Sequence, residues 1–196
     1  MYYESKDYDK TDEMALRLRM DYNHYEKRLD IFSLAKQLNI VLIKYSSLSC
    51  DQQNTIKKLE LSDGFTITTT RESKNRICTF YNDQNGNARI RLTIAHEIKH
   101  VVFLEKEVSE KEEDLANHFA RYILAPTCLI MPYVKDSSPF EITRDFDISY
   151  EAASYAFKAA ENRITCNKGI LSDFEKEFVN RFNERHKQKA QTIDVV

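Results

Sequence analysis

The residues with the clearest chemical potential are His96, Glu97 and His100, in the run Arg91-Leu92-Thr93-Ile94-Ala95-His96-Glu97-Ile98-Lys99-His100-Val101-Val102-Phe103. On a helix His96 and His100 stand one turn apart and project from the same face. Two imidazoles so placed can hold one tetrahedral Zn²⁺ at about 2.0–2.1 Å each. Glu97 is rotated by roughly 100° from His96, so it is not expected to be a ligand. It can instead reach a water at the metal, take its proton during attack on a carbonyl and return that proton to the leaving amine. Ile94, Ile98, Val101 and Val102 supply the apolar flanks of a buried helix. The chemistry these residues suit is metal-assisted hydrolysis of a peptide bond.

Such a site needs a third protein ligand and a fourth position left open. The stretch from Glu110 to Pro126 places Leu115, Phe119 and Ile123 at four-residue spacing, which predicts a second amphipathic helix. Glu113, Ala116, Asn117 and Ala120 share an adjacent face. If that face looks at the first helix, Glu113 completes the site and Asn117, one turn on, can hydrogen-bond a ligand histidine and fix its orientation. Small Ala116 and Ala120 would let the helices approach closely. Glu112 and His118 are rival ligands, and an acidic first turn is also an ordinary complement to the helix dipole.

The elements that must position these residues follow from periodicity. Asp9 to Tyr25 carries Met14, Ala15, Leu18 and Tyr22 at helical spacing. Asp30 is a candidate N-cap for a short helix through Leu38 that stops at Asn39. Ile40 to Tyr45 is an apolar, β-branched run suited to a buried strand. Ser46 to Ser62 is polar and predicted to be irregular at its start. Phe65 to Thr69 and Ile77 to Tyr81 are strand-like and suitably spaced for a hairpin, joined by a polar segment around Arg71 to Asn75. Ile77 to Tyr81 could also serve as an edge strand that pairs with an extended substrate. Asn82 to Asn87 is a turn cluster, and helical periodicity dominates thereafter.

The 196 residues suffice for one domain, or for a main domain with a small appendage. A net charge of −2 provides no overall basic field for nucleic acid or acidic membranes. Cys50, Cys78, Cys128 and Cys166 form no CxxC pair and are expected to be buried free thiols. The polar start Met1-Tyr2-Tyr3-Glu4-Ser5-Lys6 has no signal-peptide pattern, and no run is long and apolar enough to span a bilayer. A cytoplasmic protein is expected.

With both motifs in view, the chain resembles the ImmA/IrrE family of metallo-endopeptidases. Arg91 to His100 is similar to that family's R-F-T-[IL]-A-H-E-[IL]-G-H. Glu113-x-x-Ala116-Asn117-x-Phe119-Ala120, running into Leu124-Ala125-Pro126, is similar to E-x-x-A-N-x-F-A followed by L-x-P. The order of elements agrees over roughly residues 10 to 165. The resemblance implies an α+β, zincin-like fold: a small N-terminal mixed sheet with helices, then a mainly helical C-terminal half. The expected partition is 1–135 for the metallopeptidase domain and 136–196 for a helical C-terminal region.

The resemblance also implies zinc ligands His96, His100 and Glu113, with Glu97 as base. The substrate it implies is a transcriptional repressor of the helix-turn-helix type, cut to relieve repression. A non-proteolytic repressor-binding module, or a toxin–antitoxin component with structural zinc, is the alternative on the same fold. One departure is visible: Lys99 stands where the family has glycine, and its long side chain is expected to snorkel to solvent.

Asp147 to Phe157, preceded by Phe140 to Phe146, reads as the second half of a helix-turn-helix with Ser149 as N-cap. Its exposed face offers Glu151, Ser154 and Lys158, a poor set for reading DNA, so direct nucleic-acid binding is not expected. Ser172-Asp173-Phe174-Glu175 is a capping box opening a helix with a Phe174, Phe178 and Phe182 stripe. Arg185 to Lys189 is expected to be a frayed, solvated end. Tyr133 and His118 are side chains of a type able to stabilise an oxyanion, but no donor is assigned.

Overall fold

The structure is a computed structural model that describes residues 5–71, 74–103 and 109–193. Residues 1–4, the start of the polar N-terminal run, and positions 72 and 73 of the hairpin connection lie outside the described residues. The architecture is α+β, with a small three-stranded mixed sheet in a mostly helical chain. Two compact units divide it: residues 30–120, and residues 1–29 together with 121–196.

In the first unit, Asp30 caps α2 (Ile31–Gln37) by accepting a hydrogen bond from the Ser33 amide. Asn39 ends that helix in the left-handed region at φ 59°, a conformation asparagine tolerates. The strands β1 (Ile40–Lys44), β2 (Gly64–Arg71) and β3 (Lys74–Tyr81) order as β1-β3-β2. β1 runs parallel to β3 with Ile40 opposite Ile77, and β2 runs antiparallel to β3 with Phe65 opposite Phe80. The Phe65 and Phe80 rings stack at 4.9 Å. β3 is therefore the central strand, paired on both sides. It offers no edge to a substrate, which corrects that expectation for Ile77 to Tyr81. β1 is an outer strand and only half-buried over most of its length, not the fully buried strand its composition suggested.

Between β1 and β2 the chain forms a 3-10 turn (Tyr45–Ser47) and the helix α3 (Cys50–Lys58). Ser49 and Gln52 cap α3 reciprocally as a capping box. The helices α4 (Asn87–Val102) and α5 (Glu110–Leu124) follow. α4 packs against α2, β2 and β3.

The second unit contains α1 (Ser5–Asp21), α6 (Thr127–Ile130), α7 (Tyr133–Asp136), α8 (Pro139–Phe146), α9 (Tyr150–Asn167) and α10 (Asp173–Ile193). The boundary between the units falls within α5. Asp147, left-handed at φ 55°, separates α8 from α9, and Ser149 caps α9 by accepting from the Ala152 amide. α10 carries Phe178 and Phe182 into the core. Its backbone stays helical to Ile193, so Arg185 to Gln188 form an exposed helical turn rather than a frayed end.

Two charged residues are buried here by consuming their polar capacity. Arg19, fully buried, donates to the carbonyls of His24, Ile123 and Glu26 and lies over the Phe178 ring. Glu175 accepts from Tyr122 Oη at 2.9 Å, from Arg163 at 2.6 and 2.5 Å, and from the Ser172 amide and hydroxyl at 2.9 and 2.8 Å. Burial alone would push its carboxyl up; Arg163 and Ser172 outweigh it and hold the group below the usual glutamate range.

All four cysteines are free. Cys78 and Cys128 are buried, but Cys50 and Cys166 are exposed, contrary to the expectation for all four. Among the described residues, no helix is long and apolar enough to cross a membrane.

Candidate metal centre

Gly86 is the N-cap of α4, in extended backbone that closes the turn from Asn82. Ile94, Ala95 and Ile98 bury one side of the helix. With that side committed to the core, His96 and His100 share the next face and are each 17% exposed. In α5, Ala116, Phe119 and Ala120 are fully buried, and Glu113 lies on the side facing the histidines.

Three donor side chains converge. His96 Nε2 is 3.1 Å from His100 Nε2 and 3.2 Å from Glu113 Oε2, and His100 Nε2 is 3.4 Å from Glu113 Oε1. Ligands at about 2.0–2.1 Å on a tetrahedral ion are about 3.3–3.4 Å from one another, so each pairwise spacing is close to what an ion would need, with the two histidines meeting different oxygens of the Glu113 carboxylate. His96 Nδ1 lies 3.2 Å from Asn117 Oδ1. The amide oxygen can only accept, so Nδ1 carries the proton and the Nε2 lone pair faces the centre. The donor set is two imidazole nitrogens and one carboxylate, which fits a divalent cation of intermediate softness. Among the described residues this is the one group of His, Cys, Asp or Glu side chains with such convergence.

Glu112 is turned away from this centre. Its carboxylate meets Lys99 Nζ at 2.5 Å, and its carbonyl accepts from the same ammonium at 3.2 Å. Lys99 does not snorkel: its side chain is 0% exposed. Packing around α4 closes the route to solvent, and Glu112 supplies the counter-charge that a buried ammonium requires. His118 lies outside the convergent group. Tyr133, in the other unit, accepts from Lys27 at 2.6 Å and donates to Asp145 at 2.5 Å.

Glu97 is 8% exposed and lines a cleft of about 300 Å³ together with His96, Glu113, Asn117, Thr93 and Gly64. Among the described residues, no hydrogen bond or ion pair reaches its carboxylate, while every fully buried side-chain N or O has a partner. Its oxygens therefore open onto the cleft. Burial, and then the negative charges of Glu97 and Asp63, push the Tyr45 phenol up to about 12.

The cleft wall includes residues that motif spacing did not reveal. Asp63 accepts from Arg89 Nε and Asn85 Nδ2, each at 3.0 Å, and the Arg89 hydrogen bond holds its carboxyl below the usual range. This pair ties the entry to β2 to the first turn of α4. Gly64 follows directly, and a Cβ there would lie 2.5 Å from Thr93 Cγ2 and 2.8 Å from the Phe80 carbonyl oxygen. Only glycine allows that approach. Its rarity was the available signal, since the chain has three glycines and this one opens a strand.

A family model described as the IrrE N-terminal-like domain (Peptidase_M78) matches residues 35–158, more than half of the chain. The chain belongs to this family. The assignment agrees with the resemblance carried by Arg91 to His100 and by Glu113 to Pro126, and it makes the chain a member of a metallopeptidase family. A search of curated proteins finds no match. The matched span contains His96, Glu97, His100, Glu113 and Asn117.

Proposed function

We propose that this chain is a zinc-dependent endopeptidase that cuts a protein substrate, and that the substrate is a helix-turn-helix transcriptional repressor whose cleavage relieves repression. The observation that carries the reading is the convergence of His96, His100 and Glu113 beside a carboxylate, Glu97, to which nothing hydrogen-bonds among the described residues. Three protein donors with an open side are the pattern of catalytic rather than structural zinc, which is usually closed by four and rich in cysteine. The repressor is proposed from the family resemblance.

In this reading His96, His100 and Glu113 hold the ion, and Asn117 keeps His96 in the correct tautomer and orientation. A divalent ion so held supplies Lewis-acid polarisation of a carbonyl and activation of water. Glu97 takes the proton of the attacking water on a carboxylate oxygen and delivers it to the departing amine nitrogen. β2 begins at the cleft wall with Gly64, and its outer edge is unpaired among the described residues. An extended substrate segment can add to that edge by main-chain hydrogen bonds. The four free thiols suit the reducing cytoplasm, where we place the protein.

The test is Glu97→Gln, incubated with the repressor encoded nearest to this gene while bound zinc is measured. Cleavage should vanish with zinc retained. Undiminished cleavage would defeat the assignment of Glu97, and partner release without any cleavage by the unsubstituted protein would favour the non-proteolytic binding module.

A further inference from the structure

We propose that Lys99 is a positioning residue for the metal centre: its buried ammonium holds the first turn of α5, and with it Glu113, against the helix that carries His96 and His100. The proposal rests on the metal-binding reading above.

Glu113 is the weakly held member of the triangle. Its side chain is 42% exposed against 17% for each histidine, so packing holds it less than it holds them, and its direction depends on where the α5 backbone starts. Helix ends fray, and Glu113 lies in the first turn. Ser109 stabilises that turn internally: its hydroxyl accepts from the Glu112 amide at 3.2 Å and its carbonyl from the Glu113 amide at 3.0 Å. Both contacts are within one segment and do not fix it relative to α4.

Lys99 does. Its Nζ contacts both the Glu112 carboxylate, at 2.5 Å, and the Glu112 main-chain carbonyl, at 3.2 Å. The second bond grips the backbone one residue before Glu113. The same ammonium is 5.4 Å from the Phe103 ring centroid, and Phe103 packs edge-on against Phe119 of α5 at 6.4 Å. Lys99 thus stands one residue before His100 and reaches the backbone one residue before Glu113. A buried ammonium is costly unless paired, and Glu112 supplies the pairing for Lys99. A glycine at this position, as in the family motif, carries neither that cost nor that tether.

The experiment measures Zn²⁺ affinity of the full-length protein by competition with a chromophoric chelator, alongside the unfolding midpoint of the metal-free protein. Lys99→Met should weaken zinc binding by at least tenfold, as losses around a metal's ligands do, while the metal-free midpoint is kept. The double variant with Glu112→Gln should bind no more weakly than Lys99→Met alone, because both act through one contact. Affinity within twofold of the unsubstituted protein, losses that multiply in the double variant, or a loss that merely follows unfolding of the metal-free protein would overturn the proposal. If Lys99→Met does not fold, Glu112→Gln alone decides: a severalfold loss supports the tether and unchanged affinity overturns it. His100→Ala separates the two levels. If the unsubstituted protein binds zinc no better than His100→Ala, the metal reading fails with the tether; if it binds better and Lys99→Met matches it, only the tether fails.

Discussion

Glu97 and Glu175 are both buried glutamates, 8% and 1% exposed, yet the two regions treat them in opposite ways. In the helical unit, Glu175 is filled with donors from Tyr122, Arg163 and Ser172. In the unit of residues 30–120, Glu97 opens onto a cleft, and among the described residues nothing hydrogen-bonds to it. A saturated carboxylate has no lone pair left for chemistry and acts as a structural joint. An unsaturated one beside a metal-binding triangle is available to move a proton. Burial alone does not distinguish the two roles; the hydrogen-bond inventory does.

One identical substitution should separate them. Glu97→Gln is expected to reduce cleavage of a protein substrate by about 10³-fold or more, within the range of general-base contributions, and to leave the melting temperature unchanged or slightly raised. A large fall in melting temperature would break the comparison. Glu175→Gln should do the reverse. Loss of one member of a buried ion pair costs about 3 kcal/mol or more, roughly 6–12 °C in a chain of this size, with zinc affinity retained. Calorimetry and metal analysis on the same samples read both.

Asn117→Ala sharpens the contrast on the cleft side. Removing the acceptor at His96 Nδ1 should lower metal affinity about 10- to 100-fold with little change in the melting temperature of the metal-free protein. Chelator competition would show an unaltered affinity if Asn117 merely neighbours the site.

The smallest expected effect is on acid stability. The Tyr133 hydrogen bond, then Arg144 and Lys27, hold the Asp145 carboxyl at about 2 against an ordinary 3.8. A carboxyl depressed on folding contributes stability that is fully present above the unfolded value and lost as pH falls through the folded one. Unfolding midpoints of the unsubstituted protein should therefore drop between about pH 4 and pH 2, and Asp145→Asn should flatten that limb. An identical limb in both proteins would show that Asp145 contributes nothing there.

Much of this molecule can be read from its residues alone. His96, Glu97 and His100 at helical spacing, the Glu113 to Ala120 face, the Asp30, Ser149 and Ser172 caps and the hairpin runs are local patterns, and local patterns follow from backbone geometry and side-chain periodicity. α3 was missed in the polar stretch from Ser46 to Ser62, because its composition hid it; the Ser49–Gln52 capping box was the signal that could have found it.

Tertiary structure decided what depends on partners distant in sequence. The order β1-β3-β2 makes β3 central, because pairing is chosen by segments far apart in the chain. Spacing alone left Glu112 as a rival to Glu113, and the structure turns Glu113 to the histidines and pairs Glu112 with Lys99. Residues 1–29 join 121–196, and Arg19 is buried in that unit on the carbonyls of His24, Glu26 and Ile123. A charged side chain on an amphipathic helix reads as solvent-facing until the carbonyls that satisfy it are in place, since the cost of burying it is set by its surroundings and not by its own sequence position.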